Sequence, residues 1–249
     1  MTVGGSGTGT APAAALRWGL PDALIAWIVG FVCAFVALVP LLAIAAGRAD
    51  APATGLPQDL EVSGILASLV AQGIGIIGAL AWIGRSKGRG GLVADFGFAI
   101  RSRDLGWVPV GVGIALVAGW LLWPITELAD LEGSSQEVVR QFEDANGVEI
   151  PIFALSVVLL APVAEELLFR GALLRGLLRR TSPGWAVFGS ALVFALVHVL
   201  GDPDTYYYVP AFLALGLVSG WRAVRTGNLS QSIFLHSGFN LLASILILA

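Results

Sequence analysis

Apolar positions in this chain fall into seven long runs, and charge gathers between the runs instead of alternating with them. Ala23–Gly47, Val62–Gly84 and Leu105–Thr126 carry no charged residue, nor do Thr181–Gly201, Thr205–Trp221 and Thr226–Ala249. Ile150–Leu178 is apolar apart from one internal cluster and Arg175. A surface helix of a water-soluble protein shows a polar face recurring every three or four residues. A run of about 20 apolar residues instead matches the thickness of a bilayer core. The pattern predicts an all-α membrane protein, a polytopic helical bundle of about seven transmembrane helices. Between the runs, Arg85–Asp104 reads as a basic, glycine-rich loop. Glu127–Glu149 reads as an acidic loop in which Ser134–Glu137 resembles a helix N-terminus. Gly73, Gly75 and Gly78 in the second run suggest close helix approach. Residues 1–16 are uncharged and rich in small residues; they read as a disordered tail, not a signal peptide. The expected organisation is thus a tail at 1–16, three transmembrane helices in 17–149 and a four-helix core in 150–249.

Composition sharpens this picture. The 249 residues are 57% hydrophobic and 12% charged, about half of the ~25% charge that soluble domains carry. The net charge of −3 argues against a nucleic-acid partner. Cys33 is the only cysteine, so no intrachain disulfide forms. Basic residues predict orientation. With a cytoplasmic N-terminus and seven spans, Arg17, Arg85, Lys87, Arg89, Arg101, Arg103, Arg175, Arg179, Arg180, Arg222 and Arg225 fall inside, while Arg48 and Arg140 fall outside. The positive-inside rule prefers that arrangement, in a bacterial cell membrane. Trp107, Trp120 and Trp123, towards the ends of the third run, suit an aromatic belt.

The interruption in the fourth run carries the chemistry. Glu165, Glu166 and Arg170 stand in an apolar stretch where each ionisable group costs at least ~2.5–3.5 kcal/mol, which marks a functional site. The chain has 2 histidines, His198 and His236, and each lies in a later apolar run. Residues i and i+4 share a helix face. Glu166 therefore projects with Arg170, Phe194 with His198, and His236 with Asn240. Glu165 is turned about 100° from Glu166, so the two carboxylates need not share a role. Pro162 removes a backbone N–H just before them and is expected to open the helix.

Taken in order, Glu-Glu-x-x-x-Arg, Phe-x-x-x-His and His-x-x-x-Asn resemble the motifs of the CPBP intramembrane protease family. That family includes type II CAAX prenyl endopeptidases and relatives linked to bacteriocin processing or immunity. The resemblance covers roughly residues 150–249. It implies an intramembrane endopeptidase of the glutamate type, acting on a membrane-associated peptide or protein. Carried over, Glu165 is the general base, His198 holds the same water, and His236 and Asn240 donate to the oxyanion. Glu166 and Arg170 form a supporting ion pair. The resemblance favours a cofactor-free mechanism. If zinc were bound, Glu165, His198 and His236 would be its ligands, but no H-E-x-x-H pair is present. Two other function classes compete: a non-catalytic immunity or binding protein, and a proton-coupled transporter, since buried Glu and His also build proton relays.

Overall fold

A computed structural model describes residues 16–48, 56–128, 147–200 and 203–248. The expected tail, apart from Leu16, and the expected helix start at Ser134–Glu137 lie outside the described residues. Eight helices form, with no strand among the described residues: α1 (Leu20–Ala46), α2 (Gln58–Lys87), the short α3 (Leu92–Phe96), α4 (Val108–Leu128), α5 (Glu149–Leu178), α6 (Pro183–Leu200), α7 (Val209–Thr226) and α8 (Ser230–Leu248). Short 3₁₀ helices, Ser102–Trp107 and Pro203–Tyr208, lead into α4 and α7.

Among the described residues, five helical stretches are long and apolar enough to cross a membrane: Leu20–Ala46, Leu60–Lys87, Ser102–Pro124, Glu149–Leu178 and Pro183–Leu200. The two remaining expected spans form α7 and α8, of 18 and 19 residues. The chain is a multi-pass integral membrane protein. Its outward faces agree. Phe31, Val32, Phe35 and Val36 stand exposed on α1, as do Trp120 and Trp123 on α4, a distribution that suits lipid and its interface, not water.

α5 runs through the middle and meets α2, α6 and α8, while the most extensive pairings are α1 with α2, α6 with α7 and α4 with α8. Small residues set these approaches. A methyl group on Gly75 would lie 2.9 Å from Cys33 Sγ, and one on Gly73 would lie 2.9 Å from a Leu160 side-chain carbon. Gly78 has nothing within 4 Å among the described residues, so the close approach expected at all three glycines holds at two. Between α4 and α8 the contact is backbone to backbone. A side chain at Gly111 would overlap the Leu235 carbonyl, and one at Gly238 the Val108 carbonyl.

The basic segment after α2 is not a bare loop. α3 tucks the fully buried Phe96 against Gly171 of α5 and the Trp18 ring, whose centroid lies 4.8 Å away. Trp18 Nε1–H donates to Asp95 at 3.0 Å, and the backbone N–H groups of Arg89, Gly90 and Gly91 also donate to that carboxylate. Gly90 and Gly91 adopt φ of 134° and 129°, conformations that favour glycine, and this lets successive N–H groups converge on one anion.

Candidate active site

α5 departs from regular α-helix twice, at Ser156–Leu160 and Leu167–Leu173, on either side of the two glutamates. Both stretches are π-helical: Ala161 N–H donates to Ser156 O and Leu174 N–H to Phe169 O, each five residues back. π-turns leave backbone groups to be satisfied from elsewhere and recur at functional sites. Here the accounting closes. Val157 O loses its α-helical donor, because Ala161 N–H goes to Ser156. Its next donor in the π register would be residue 162, a proline without an N–H. Asn240 of α8 fills the place: its Nδ2 donates to Val157 O at 2.9 Å. The expected opening at Pro162 is therefore present. At the second π-turn, Phe169 O accepts from Ser190 Oγ of α6 at 2.9 Å in addition to Leu174 N–H.

The segment between the π-turns points Glu165 and Glu166 into different surroundings. Glu166 is fully buried. Its Oε1 lies 3.1 Å from Arg170 Nη1 and accepts from His236 Nδ1–H at 3.0 Å. The arginine approaches off the N–H axis, as an ion pair more than a directed hydrogen bond, and Arg170 Nε and Nη2 have no hydrogen-bond partner among the described residues. Its guanidinium lies 4.3 Å from the centroid of the Phe194 ring, which supplies a cation–π contact where other partners are lacking.

Glu165 is partly exposed. Its Oε2 lies 3.6 Å from His198 Nε2 and 3.7 Å from His236 Nε2. These separations exceed direct hydrogen bonds. The far side of each imidazole is tied down: His198 Nδ1–H donates to Phe194 O at 2.8 Å, and His236 Nδ1–H to Glu166. Those bonds fix the tautomer, so in the neutral rings both Nε2 atoms present lone pairs towards Glu165.

Glu165, Glu166, Arg170, His198 and His236 thus converge from α5, α6 and α8. Asn240 lies one turn beyond His236 on α8, with one amide N–H committed to Val157 O. Three features carry no sequence signal: the Val157 carbonyl, the Glu166–His236 bond and Phe212. Phe212, from α7, stacks on His198 with ring centroids 4.4 Å apart and planes 31° apart. The residues that would hold a metal are Glu165, His198 and His236. Tetrahedral zinc with ligands at about 2.0–2.2 Å needs donor atoms roughly 3.3–3.6 Å apart; of the two separations here, 3.6 Å lies at the upper end of that range and 3.7 Å just beyond it. No group of three or more His, Cys, Asp and Glu among the described residues has the geometry of a metal site.

Fold and site together define a helical integral membrane protein with a carboxylate–imidazole centre held inside its bundle. Residues 147–242 match the family described as Type II CAAX prenyl endopeptidase Rce1-like, in agreement with the family that the motifs in this segment resemble. A curated relative, an uncharacterized protein of Mycoplasma capricolum subsp. capricolum, is 29% identical over 154 residues, 57% of this chain and 44% of the relative. The chain therefore matches less than half of that relative's length. No solved structure matches the chain.

Proposed function

We propose that the protein is an intramembrane endopeptidase that hydrolyses a peptide bond of a membrane-associated substrate, with Glu165 as general base. The convergence of Glu165 Oε2 with His198 Nε2 and His236 Nε2 within 3.7 Å carries this reading. Water donates one proton towards Glu165 and the other towards the His198 lone pair, which aims an oxygen lone pair at the scissile carbonyl. Attack transfers the water proton to Glu165 and places negative charge on the carbonyl oxygen. His236 acts as the imidazolium. It sits between the carboxylates of Glu165 and Glu166, and its Nε2–H donates to the oxyanion. The second N–H of Asn240 assists. Collapse breaks the C–N bond, and the proton held by Glu165 passes to the departing amine. With His236 protonated, two carboxylates face two cations, His236 and Arg170, which limits the cost of holding charge in a low-dielectric interior. No metal enters this scheme, and the N-terminus with the basic helix ends faces the cytoplasm.

The test is cleavage by the purified full chain in detergent or vesicles. The substrates are a membrane-anchored peptide and two soluble peptides ending in a CAAX-type sequence, one farnesylated and one not. Wild type should cleave one of the membrane-partitioning substrates. Glu165→Gln should lower kcat by about 10²–10⁴-fold, the usual contribution of a general base, and a metal chelator should leave the rate unchanged. Full cleavage by both Glu165→Gln and His198→Ala would overturn the assignment.

A further inference from the structure

We infer that Phe212 is a positioning residue that holds the His198 imidazole in its working orientation. The inference rests on the endopeptidase reading for its kinetic consequence, but the geometry that carries it is independent of that reading. His198 has one directed anchor, the bond from Nδ1–H to Phe194 O. That bond lies along the residue's own helix and leaves the ring a pivot about which it can swing. Two phenyl rings limit the swing. Phe194 and Phe212 each lie 4.4 Å from the imidazole centroid. They lie 6.3 Å from each other, so the three rings form a corner and not a sandwich. Phe194 is tilted 54° to the imidazole. Phe212 lies only 31° off parallel, and so covers a face of His198.

Phe212 is itself braced. Its centroid lies 6.2 Å from that of Phe239 on α8 and 6.3 Å from that of Tyr208, in the turn before α7. The brace ties α7, a helix that contributes no polar group to the centre, to α6 and α8, which contribute both imidazoles. Aromatic stacking at such distances stabilises beyond burial alone and biases a part-exposed ring towards one rotamer. Loss of orientation by about 1 Å can cost on the order of 100-fold in rate.

The test compares Phe212→Leu with Phe212→Trp in the full chain, using two measurements. In the cleavage assay, Phe212→Leu should lower kcat about tenfold or more with KM within about twofold, while Phe212→Trp should stay within about threefold of wild type. The second measurement needs no substrate. His198 is part-exposed and His236 is buried, so carbethoxylation followed at a single pH reads mainly His198, with His198→Ala as the blank. Phe212→Leu should speed this modification severalfold and Phe212→Trp should not. A Phe212→Leu protein with wild-type kcat overturns the inference, as does one altered in KM alone, which would make Phe212 a substrate contact. Should wild type cleave none of the substrates, the endopeptidase reading fails separately. His198 reactivity then decides this inference, and an unchanged rate in Phe212→Leu rejects it.

Discussion

Glu165 and Glu166 are adjacent in sequence and opposite in circumstance. One is partly exposed, with two imidazole nitrogens just beyond hydrogen-bond distance; the other is fully buried against a guanidinium and a third nitrogen. The same conservative change should therefore produce different defects. Glu165→Gln should lose turnover while unfolding close to wild type, because its carboxylate is partly exposed and its buried neighbour His236 keeps the hydrogen bond to Glu166. Glu166→Gln leaves the Arg170 charge unpaired in the interior, and breaking such a pair costs about 3–5 kcal/mol. Unfolding in detergent, followed by circular dichroism, should register that loss. Removing both charges, in Glu166→Gln with Arg170→Met, should recover most of it, since two neutral groups need no compensation. A double variant no more stable than Glu166→Gln would mean that Glu166 acts through something other than charge.

Between helices, the site depends on how α8 is set against its neighbours. α8 presents His236 to Glu165 and Glu166, and Asn240 to the carbonyl that Pro162 leaves without a donor. Gly111 and Gly238 hold α8 against α4 at backbone contact. Gly238→Ala should destabilise the protein by about 1–3 kcal/mol, because the obstructing atoms are backbone and cannot rotate away. It should also lower kcat by shifting His236. Gly78→Ala is the matched control: it adds the same methyl group where nothing lies within 4 Å, and should change stability by less than about 0.5 kcal/mol. Thermal unfolding and turnover of the two variants check both expectations. This contrast also marks what the sequence discloses. Glu-Glu-x-x-x-Arg, Phe-x-x-x-His and His-x-x-x-Asn are legible because helical period places i and i+4 on one face and because charge inside lipid demands a reason. Whether a glycine meets a neighbour is not legible, since Gly73, Gly75 and Gly78 look alike until helix rotation and crossing are known. Phe212 carries no period and no charge, so only the packing of α7 on α6 reveals it. Asn240 was legible as a site residue, but its bond to Val157 depends on a π-turn that propensity does not specify.

Across the whole molecule, the ends of several helices are tied together at the basic end by groups distant in sequence. Asp95 accepts from Trp18 and from the N–H groups of Arg89, Gly90 and Gly91; Leu229 N–H donates to Gly97 O; Arg175 donates to Gly227 O; and Arg179 donates to Trp18 O. The sequence shows this region only as a basic, glycine-rich stretch, because the link from Trp18 to Asp95 spans 77 positions and leaves no local pattern. Its anchor makes a prediction about pH. Burial pushes the Asp95 carboxyl up, but the surrounding donors outweigh burial and hold it below its ordinary 3.8. A carboxylate depressed by folding binds its proton first in the unfolded chain. Its stabilisation is therefore complete above the unfolded value and is lost as pH falls through the folded one. Asp95→Asn removes that dependence. It also turns an amide NH₂ towards backbone donors already aimed at an oxygen, so it should destabilise the protein at neutral pH by about 1–3 kcal/mol. Unfolding of the full chain in detergent between pH 7 and about pH 3 should show the gap between wild type and Asp95→Asn constant near neutrality and closing at the acid end. A gap that stayed constant to the lowest pH would mean that the Trp18–Asp95 junction holds by shape alone, with the charge contributing nothing.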